Sequence, residues 1–262
     1  MSVWQALSEE LDRWSDTGKT ATFWWRDDDA VAPTAQLERL LKYAQAAPMC
    51  LAVIPDSATP ELADRIKDVT SVAVLQHGWN HVNHAATGKS EYPASRSAHE
   101  VEREVAAGRR LLAGRFGAQS LPVFVPPWHG FDDCFLPLLA SNGITHISRM
   151  GPRPSLFADH NLFQVNTHVA PIQWTVPRSF GDEAEYLARI IDHLRGRRTG
   201  QYDAAEPTGL LTHHLVQNDR SFQFVSDLLK VTSEHPAGMW LDGEAVFCSR
   251  DDGQTKYGLH TS

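Results

Sequence analysis

Thr22-Phe23-Trp24-Trp25-Arg26-Asp27-Asp28-Asp29 is the stretch of sequence that decides the fold. Its first four residues are β-branched or aromatic, so they predict a strand over 22–25. Three aspartates then follow at the predicted end of this strand. Carboxylates crowded together repel one another and lose part of their hydration, so a metal ion or a proton shared among them would stabilise the group. An exposed acidic turn or a helix cap is the alternative for this run taken by itself.

The rest of the chain alternates short apolar runs with amphipathic segments. The apolar runs predict strands at 49–54, 71–75, 123–125, 145–148, 163–166 and 209–211. The amphipathic segments predict helices at 4–14, 34–46, 60–69, 98–116, 132–141, 183–195 and 222–232. Such alternation indicates an α/β fold with parallel strands and outer helices.

Chain length and the first turn favour one architecture within that class. At 262 residues, a closed or nearly closed barrel fits better than an open, doubly wound sheet. The turn after the first strand carries aspartates where a dinucleotide-binding fold would carry a glycine-rich phosphate loop. We therefore predict one barrel domain over residues 1–262.

Composition narrows the possible partners and the compartment. The net charge of −8 gives no basic surplus for nucleic acid or an anionic membrane, so neither is expected as a partner. The first residues do not read as a signal peptide, and no run of 18 apolar residues occurs. Cys50, Cys134 and Cys248 are far apart, which predicts reduced, mostly buried thiols. These features predict a cytoplasmic protein, with its oligomeric state left open.

Two histidines follow the third predicted strand in the segment HGWNH. His77 and His81 are four residues apart, a spacing that places two imidazoles on one face of a helix or a tight turn. Together with one aspartate they would supply three protein ligands and leave a fourth position for water, which is the pattern of a catalytic metal site. His84 is an alternative ligand, although a supporting or surface role suits it better.

Two further polar segments follow predicted strands. In PPWHG the prolines end a strand rigidly, and Trp128 would offer a flat wall to a sugar ring or an acyl methyl group, or else be a core aromatic. In LTHH, His213 or His214 would act as a general acid opposite an aspartate of the first strand. The strand register, which the sequence leaves open, decides which histidine faces the site. All of these segments lie at C-terminal strand ends, where parallel barrels build their active sites.

Taken in order, these segments resemble the motifs of the NodB-homology polysaccharide deacetylases, carbohydrate esterase family 4. The family's T-F-D-D-G, H-x-x-x-H, proline-rich and L-x-H motifs correspond to residues 26–30, 77–81, 125–128 and 211–213. The resemblance implies a distorted (β/α) barrel and a metal-dependent hydrolase.

The resemblance also implies a role for individual residues. Asp28 would be the catalytic base and His213 the catalytic acid. Asp29, His77 and His81 would hold the metal. The metal is expected to be Zn²⁺, with Ni²⁺, Co²⁺ or Mn²⁺ as alternatives. Three residues would contact the substrate: Pro127, Trp128 and Trp174.

The chain departs from the family in two motifs. The third motif usually carries an arginine that orients the catalytic aspartate, but Val125 occupies that place here. Arg26, Arg96 and Arg149 are the candidates to replace it. The fourth motif is weakly matched, and Trp174 is its nearest counterpart.

The predicted reaction is hydrolysis of an amide C–N bond, most simply N-deacetylation of an N-acetylated sugar or oligosaccharide. One alternative is a metal-dependent amidase that acts on a small non-carbohydrate amide. A second alternative is a barrel that binds carbohydrate without catalysis. A glycoside hydrolase is disfavoured because the aspartate run is the one obvious source of its two carboxylates.

Overall fold

A computed structural model describes residues 2–175 and 178–247, which form a sheet surrounded by helices. The strands of the described residues are β1 (Ala21–Ala30), β2 (Met49–Val53), β3 (Val72–His77), β4 (Ser120–Val125), β5 (His146–Ile147), β6 (Phe157–Asp159), β7 (Leu162–Gln164), β8 (Thr208–Thr212) and β9 (Gly238–Trp240). The α-helices are α1 (Val3–Asp16), α2 (Ala35–Tyr43), α3 (Pro60–Ile66), α4 (Ala98–Phe116), α5 (Leu136–Ser141), α6 (Glu183–Thr199), α7 (Asp219–Glu234) and α8 (Gly243–Phe247).

The strands form a mixed sheet in the order β6-β7-β5-β4-β3-β2-β1-β8, with β9 also paired to β1. All pairs are parallel except β6 with β7. Every residue of β2 and of β8 is buried, as expected for strands covered on both faces. The predicted α/β class, with parallel strands and outer helices, is therefore confirmed.

The sheet is not closed into a complete barrel. Within the described residues, β8 and β6 end the strand order without a ladder between them. The segment that follows β7 approaches β8 through one isolated bridge, Val169 with Leu210, and through hydrogen bonds from the amides of His168 and Val169 to the carbonyl of Gly209. A short contact, and not a strand pair, thus spans the gap between the two ends of the sheet. The predicted barrel is distorted in this way.

Several boundaries differ from the sequence-based prediction. The first strand continues to Ala30, so the three aspartates lie within β1 rather than after it. His77 is the last residue of β3 rather than the first residue beyond it. Strands β6 and β9 and helix α8 were not predicted, because elements of three to five residues carry too little periodicity and depend on pairing with distant strands.

Two other expectations concern the cysteines and the membrane. Cys50 is buried, whereas Cys134 is exposed, so the expectation of buried thiols is wrong for Cys134; Cys248 lies outside the described residues. None of the helices in the described part of the chain combines the length and the apolar character needed to cross a membrane.

The close approach of the segment after β7 to β8 generates a prediction about Gly209. A Cβ atom there would lie 2.7 Å from the backbone of Asn166 and of Thr167 and 2.5 Å from the Trp24 indole nitrogen. We expect Gly209→Ala to lower the free energy of unfolding by about 1–3 kcal/mol through overpacking, measured by urea denaturation. The matched control is Gly114→Ala in α4, where a Cβ meets nothing within 4 Å.

The control, Gly114→Ala, should raise the free energy of unfolding by about 0.5–1 kcal/mol, because alanine has a higher helix propensity than glycine. Equal stability of Gly209→Ala and the unaltered protein would contradict the tight packing between these segments.

Candidate active site

The three aspartates of β1 have separate partners although they are adjacent in sequence. Asp27 and Asp28 are buried, and Asp29 is partly exposed. The register of β1 against β2 shifts between Asp27 and Ala30, and Asp29 has a φ of +70°. The regular alternation of side chains along the strand therefore ends at Asp29, so Asp28 and Asp29 both feel the charges of His77 and His213.

Asp29, His77 and His81 converge on one point. The Asp29 Oδ1 atom lies 3.2 Å from His77 Nε2 and 3.3 Å from His81 Nε2. A tetrahedral ion with ligand distances of about 2.1 Å has ligand–ligand edges of about 3.4 Å, so these separations suit a metal such as zinc. The three residues therefore offer two imidazole nitrogens and a carboxylate oxygen close enough together to hold a metal ion.

The hydrogen bonds of His77 determine which of its ring nitrogens carries a proton. Its Nδ1 atom lies 3.0 Å from the carbonyl oxygen of Val125, so Nδ1 carries a proton and donates it. The Nε2 lone pair of the neutral ring then faces the Asp29 carboxylate, which is also an acceptor. A metal ion or an added proton must separate them. A backbone carbonyl bonded to the far nitrogen is also the usual way to orient a metal-binding histidine.

The turn between the two histidines holds them on one side. It is not helical: Gly78 has a φ of +59° and His81 has a φ of +58°. The two rings lie with centroids 5.1 Å apart. His84, the alternative ligand, is exposed and lies outside the cluster of three.

Arg26 is the arginine that contacts Asp28. Its Nε and Nη2 atoms donate to the two carboxylate oxygens of Asp28 at 2.8 and 3.1 Å, while Nη1 donates to Ser148. The other two candidates are engaged elsewhere, since Arg96 pairs with Glu104 and Arg149 contacts Asp133. Residues two apart on a strand share a face, so the spacing of Arg26 and Asp28 was a signal in the sequence for this pair.

The Arg26 contact keeps the Asp28 carboxylate charged. Burial by itself raises the pKa of Asp28, but the charges of Arg26, His77 and His213 together hold it below its ordinary value. Asp28 is thus an ionised acceptor at neutral pH, as a general base must be.

The register of β8 separates the roles of His213 and His214. His214 is fully buried, and its backbone amide and Nδ1 atom both bond to Asp27. His213 turns instead towards Asp28 and Asp29, and its Nδ1 atom has no hydrogen-bond partner. Burial lowers the pKa of His213, although the nearby aspartates oppose this shift. The structure therefore places His214 against Asp27, and His213 near Asp28 and Asp29.

The three residues expected to contact substrate differ in their surroundings. Pro127 is buried, and its ring packs against Gly78. Trp128 is partly exposed and packs on His81, with ring centroids 4.2 Å apart. Trp174 is 50% exposed and meets the His213 ring edge to face at 4.8 Å. Trp128 therefore lies against His81, and Trp174 lies against His213.

His129 and Glu91 are two residues near the site that the sequence did not single out. His129 follows Trp128 in a turn where both have positive φ, 61° and 52°, a strained backbone that is typical of functional sites. Burial and the charge of Arg26 lower the pKa of His129 to about 4, so its ring is neutral. Glu91 is fully buried beneath the 78–81 turn. The histidine inside PPWHG was a visible signal, whereas nothing in the sequence connects Glu91 to this turn.

Solved structures with a similar fold are described as deacetylases. A structure described as a polysaccharide deacetylase from Mycobacterium smegmatis superposes with a TM-score of 0.59 at 14% identity, covering 86% of this chain and 87% of its own. The T48 deacetylase has a TM-score of 0.53 at 18% identity, covering 88% and 93%. The chain has the fold of the polysaccharide deacetylases.

A third polysaccharide-deacetylase fold, the Bc1960 peptidoglycan N-acetylglucosamine deacetylase, gives a TM-score of 0.52 at 12% identity and covers 90% of this chain and 97% of its own. No protein-family model and no curated sequence matches the chain. The fold expected from the motif resemblance is thus confirmed by structure at a sequence identity too low for conventional sequence comparison.

A second cluster in this deacetylase fold contains His168, His193 and Glu206, all buried. His168 Nδ1 accepts from the Gly209 amide, so the proton of this ring is on Nε2. The His193 Nδ1 atom lies 2.9 Å from the Thr208 hydroxyl, which also accepts from Arg197. The Nε2 atoms of the two histidines lie 3.5 and 3.9 Å from Glu206, and neither makes a hydrogen bond. The His168 N–H group therefore faces this carboxylate, whereas His77 presents a lone pair to Asp29.

This cluster predicts a pH dependence of stability. Burial, with the charges of Arg197 and Arg153, lowers the pKa of His168 to about 3, against about 6.5 in an unfolded chain. The unfolded state therefore binds the extra proton first, and stability is lost as the pH falls from about 6.5 towards 3. We expect His168→Gln to reduce the slope of the unfolding free energy against pH in this window by up to about 1.4 kcal/mol per pH unit.

Urea denaturation between pH 4 and 7 measures this slope, and His84→Gln, at an exposed histidine, is the control. Burial raises the pKa of Glu206 to about 7, which gives the unfolding free energy a slope of opposite sign against pH. Glu206 is present in all three proteins, so the difference between their slopes reports on His168. Identical slopes for all three proteins would contradict the neutral, buried state of His168.

Proposed function

We propose that the protein is a metal-dependent hydrolase of carbohydrate esterase family 4 that removes the acetyl group from an N-acetylated sugar or oligosaccharide. The observation that supports this most strongly is the unbalanced contact between His77 and Asp29. Two acceptors face each other at 3.2 Å because the only proton of the neutral imidazole is donated to Val125. A divalent cation resolves that conflict, and its site lies beside an ionised aspartate and a histidine, as deacetylation requires.

Asp29, His77 and His81 would hold the ion. Two imidazole nitrogens and one carboxylate oxygen suit Zn²⁺ best, and Ni²⁺, Co²⁺ and Mn²⁺ accept the same ligands. When bound, such an ion polarises the amide carbonyl and makes a neighbouring water more acidic.

Asp28 and His213 would move the protons. The Asp28 carboxylate, held by Arg26 and ionised at neutral pH, accepts a proton from the attacking water. His213 comes from a different strand and would give a proton to the nitrogen of the departing amine. Because burial makes its imidazolium a stronger acid, a protonated His213 gives up its proton readily. The two residues would thus act on the two ends of the scissile bond.

The rim of the site suits a flat, partly apolar substrate such as a sugar ring. Trp174 is 50% exposed next to His213, and Trp128 covers His81. Pro127 is buried, so in this proposal it shapes the site from beneath the 78–81 turn. Each exposed indole presents a face on which a pyranose can stack.

The first test is acetate release from N-acetylglucosamine oligomers by Zn²⁺-loaded protein. We expect turnover that chelation abolishes and added Zn²⁺ restores. Asp28→Asn should lower kcat by about 10²-fold or more while Zn²⁺ remains bound, because it removes the base and leaves the ligands in place. His77→Ala should lose the metal. His84→Ala, at an exposed histidine outside the cluster, is the control and should behave like the unaltered protein.

A panel of linear amides is assayed in parallel. Turnover of these amides without turnover of the sugars would mean that the substrate is a non-carbohydrate amide rather than a sugar. Zn²⁺ binding without hydrolysis of any substrate would favour the non-catalytic carbohydrate-binding barrel.

The second test concerns Arg26. Its guanidinium lowers the pKa of Asp28 against the effect of burial, so Arg26→Gln should raise that pKa. Since the base must be ionised, the acidic limb of the kcat/KM profile should move to higher pH, and kcat should fall by about 10²-fold as the carboxylate loses its orientation. Zn²⁺ affinity should be unchanged. The control is Arg149→Gln, which removes an arginine that contacts Asp133 instead. An unshifted acidic limb in Arg26→Gln would argue against this role.

A further inference from the structure

Glu91 is a buried carboxylate bound to the turn that carries the second histidine of the proposed metal site. Its Oε1 atom accepts hydrogen bonds from three consecutive backbone amides, those of Trp79, Asn80 and His81, at 3.2, 2.9 and 3.2 Å. The side chain is 0% exposed. Three successive amides that converge on one oxygen form an anion-binding nest, here filled by a side chain of the same protein.

The backbone of the turn needs this partner. The left-handed conformation of His81 is unfavourable for a residue with a Cβ atom, so the surrounding contacts must hold it. Without this carboxylate the amides of residues 79–81 would lose their acceptor, which is a further penalty. The Glu91 carboxylate is the acceptor for all three, so it stabilises this conformation over others.

The space around Glu91 is fitted to the same turn. A Cβ atom at Gly78 would lie 2.0 Å from Glu91 Oε2 and 2.7 Å from the Pro127 ring. The positive φ of Gly78 favours glycine for a second reason. The segment that carries Glu91 is itself fixed, because the Ser90 hydroxyl donates to the Gly130 carbonyl and Tyr92 bridges to Phe131.

We propose that Glu91 is a positioning residue that fixes His81 for metal binding, by holding the backbone of residues 79–81 from below. The inference rests on the proposed metal site of Asp29, His77 and His81. His77 is already fixed by β3 and by its bond to Val125, whereas His81 lies on a turn beyond any strand. The Nε2 atom of His81 reaches its place 3.3 Å from Asp29 Oδ1 only if the turn keeps its shape.

The test is a Zn²⁺ competition titration of the purified full-length protein and its variants, repeated with Co²⁺ to record the absorption spectrum. Glu91→Ala removes the acceptor, and Glu91→Asp retains the charge but withdraws it by one methylene. Both should raise the Kd for Zn²⁺ by about 10- to 100-fold, the range found when groups supporting metal ligands are removed. The Co²⁺ spectrum should change as one imidazole is lost. Glu91→Gln keeps an acceptor oxygen and should recover most of the affinity.

Glu10→Gln is the matched control, since Glu10 is equally buried but pairs with Arg198 on α6. It should lower the melting temperature without changing the Zn²⁺ affinity or the Co²⁺ spectrum. The role of Glu91 is refuted, and the metal site stands, if Glu91→Asp and Glu91→Ala bind Zn²⁺ as tightly as the unaltered protein. It is equally refuted if their affinity falls no further than that of Glu10→Gln. If the unaltered protein itself binds no Zn²⁺ or Co²⁺, both this role and the proposed function are overturned.

Discussion

Three adjacent carboxylates lie at the end of β1, and the negative charge of each needs a partner. The rest of the site depends on this constraint. Each of these aspartates has a different partner. Asp27 binds His214, Asp28 binds the Arg26 guanidinium, and Asp29 faces two histidines. Because a buried carboxylate without a partner is strongly disfavoured, the strands that carry these partners must meet at this edge of the sheet. The demand for charge compensation thus orders β1, β3 and β8 around one point.

The partners of the three aspartates differ in kind, and this difference distinguishes an aspartate that holds the fold from those that face the site. The Asp27–His214 pair is fully buried and complete, since Thr212 and the His214 amide also donate to the carboxylate. It holds the end of β8 so that the preceding residue, His213, faces the site. The Asp28–Arg26 pair is complete too, but it leaves the carboxylate charged beside His213. Asp29 alone faces a ring nitrogen, His77 Nε2, that is an acceptor in the neutral imidazole, and a cation or an added proton would relieve this mismatch.

Comparison of the two histidine clusters shows why proximity alone does not define a metal site. In both clusters the ligand atoms of two histidines and a carboxylate lie within 4.8 Å of one another. At His168 the outer nitrogen accepts a hydrogen bond, so the inner nitrogen carries a proton that points towards Glu206. At His77 the outer nitrogen donates to a carbonyl, so the inner nitrogen presents a lone pair. The direction of one hydrogen bond therefore decides whether the inner nitrogen of such a histidine offers a proton or a lone pair to the carboxylate.

The sequence by itself determined the α/β class, the order of the main strands and helices, and the segments that line the site. Apolar runs and helical periodicity are local properties, and polar residues at parallel strand ends must share one edge of the sheet. Only the tertiary structure decided that Arg26 is the arginine that contacts Asp28, that His213 rather than His214 lies near Asp28 and Asp29, and that Glu91 lies beneath His81. These pairings depend on strand register and on contacts between segments distant in the chain, which no local pattern encodes.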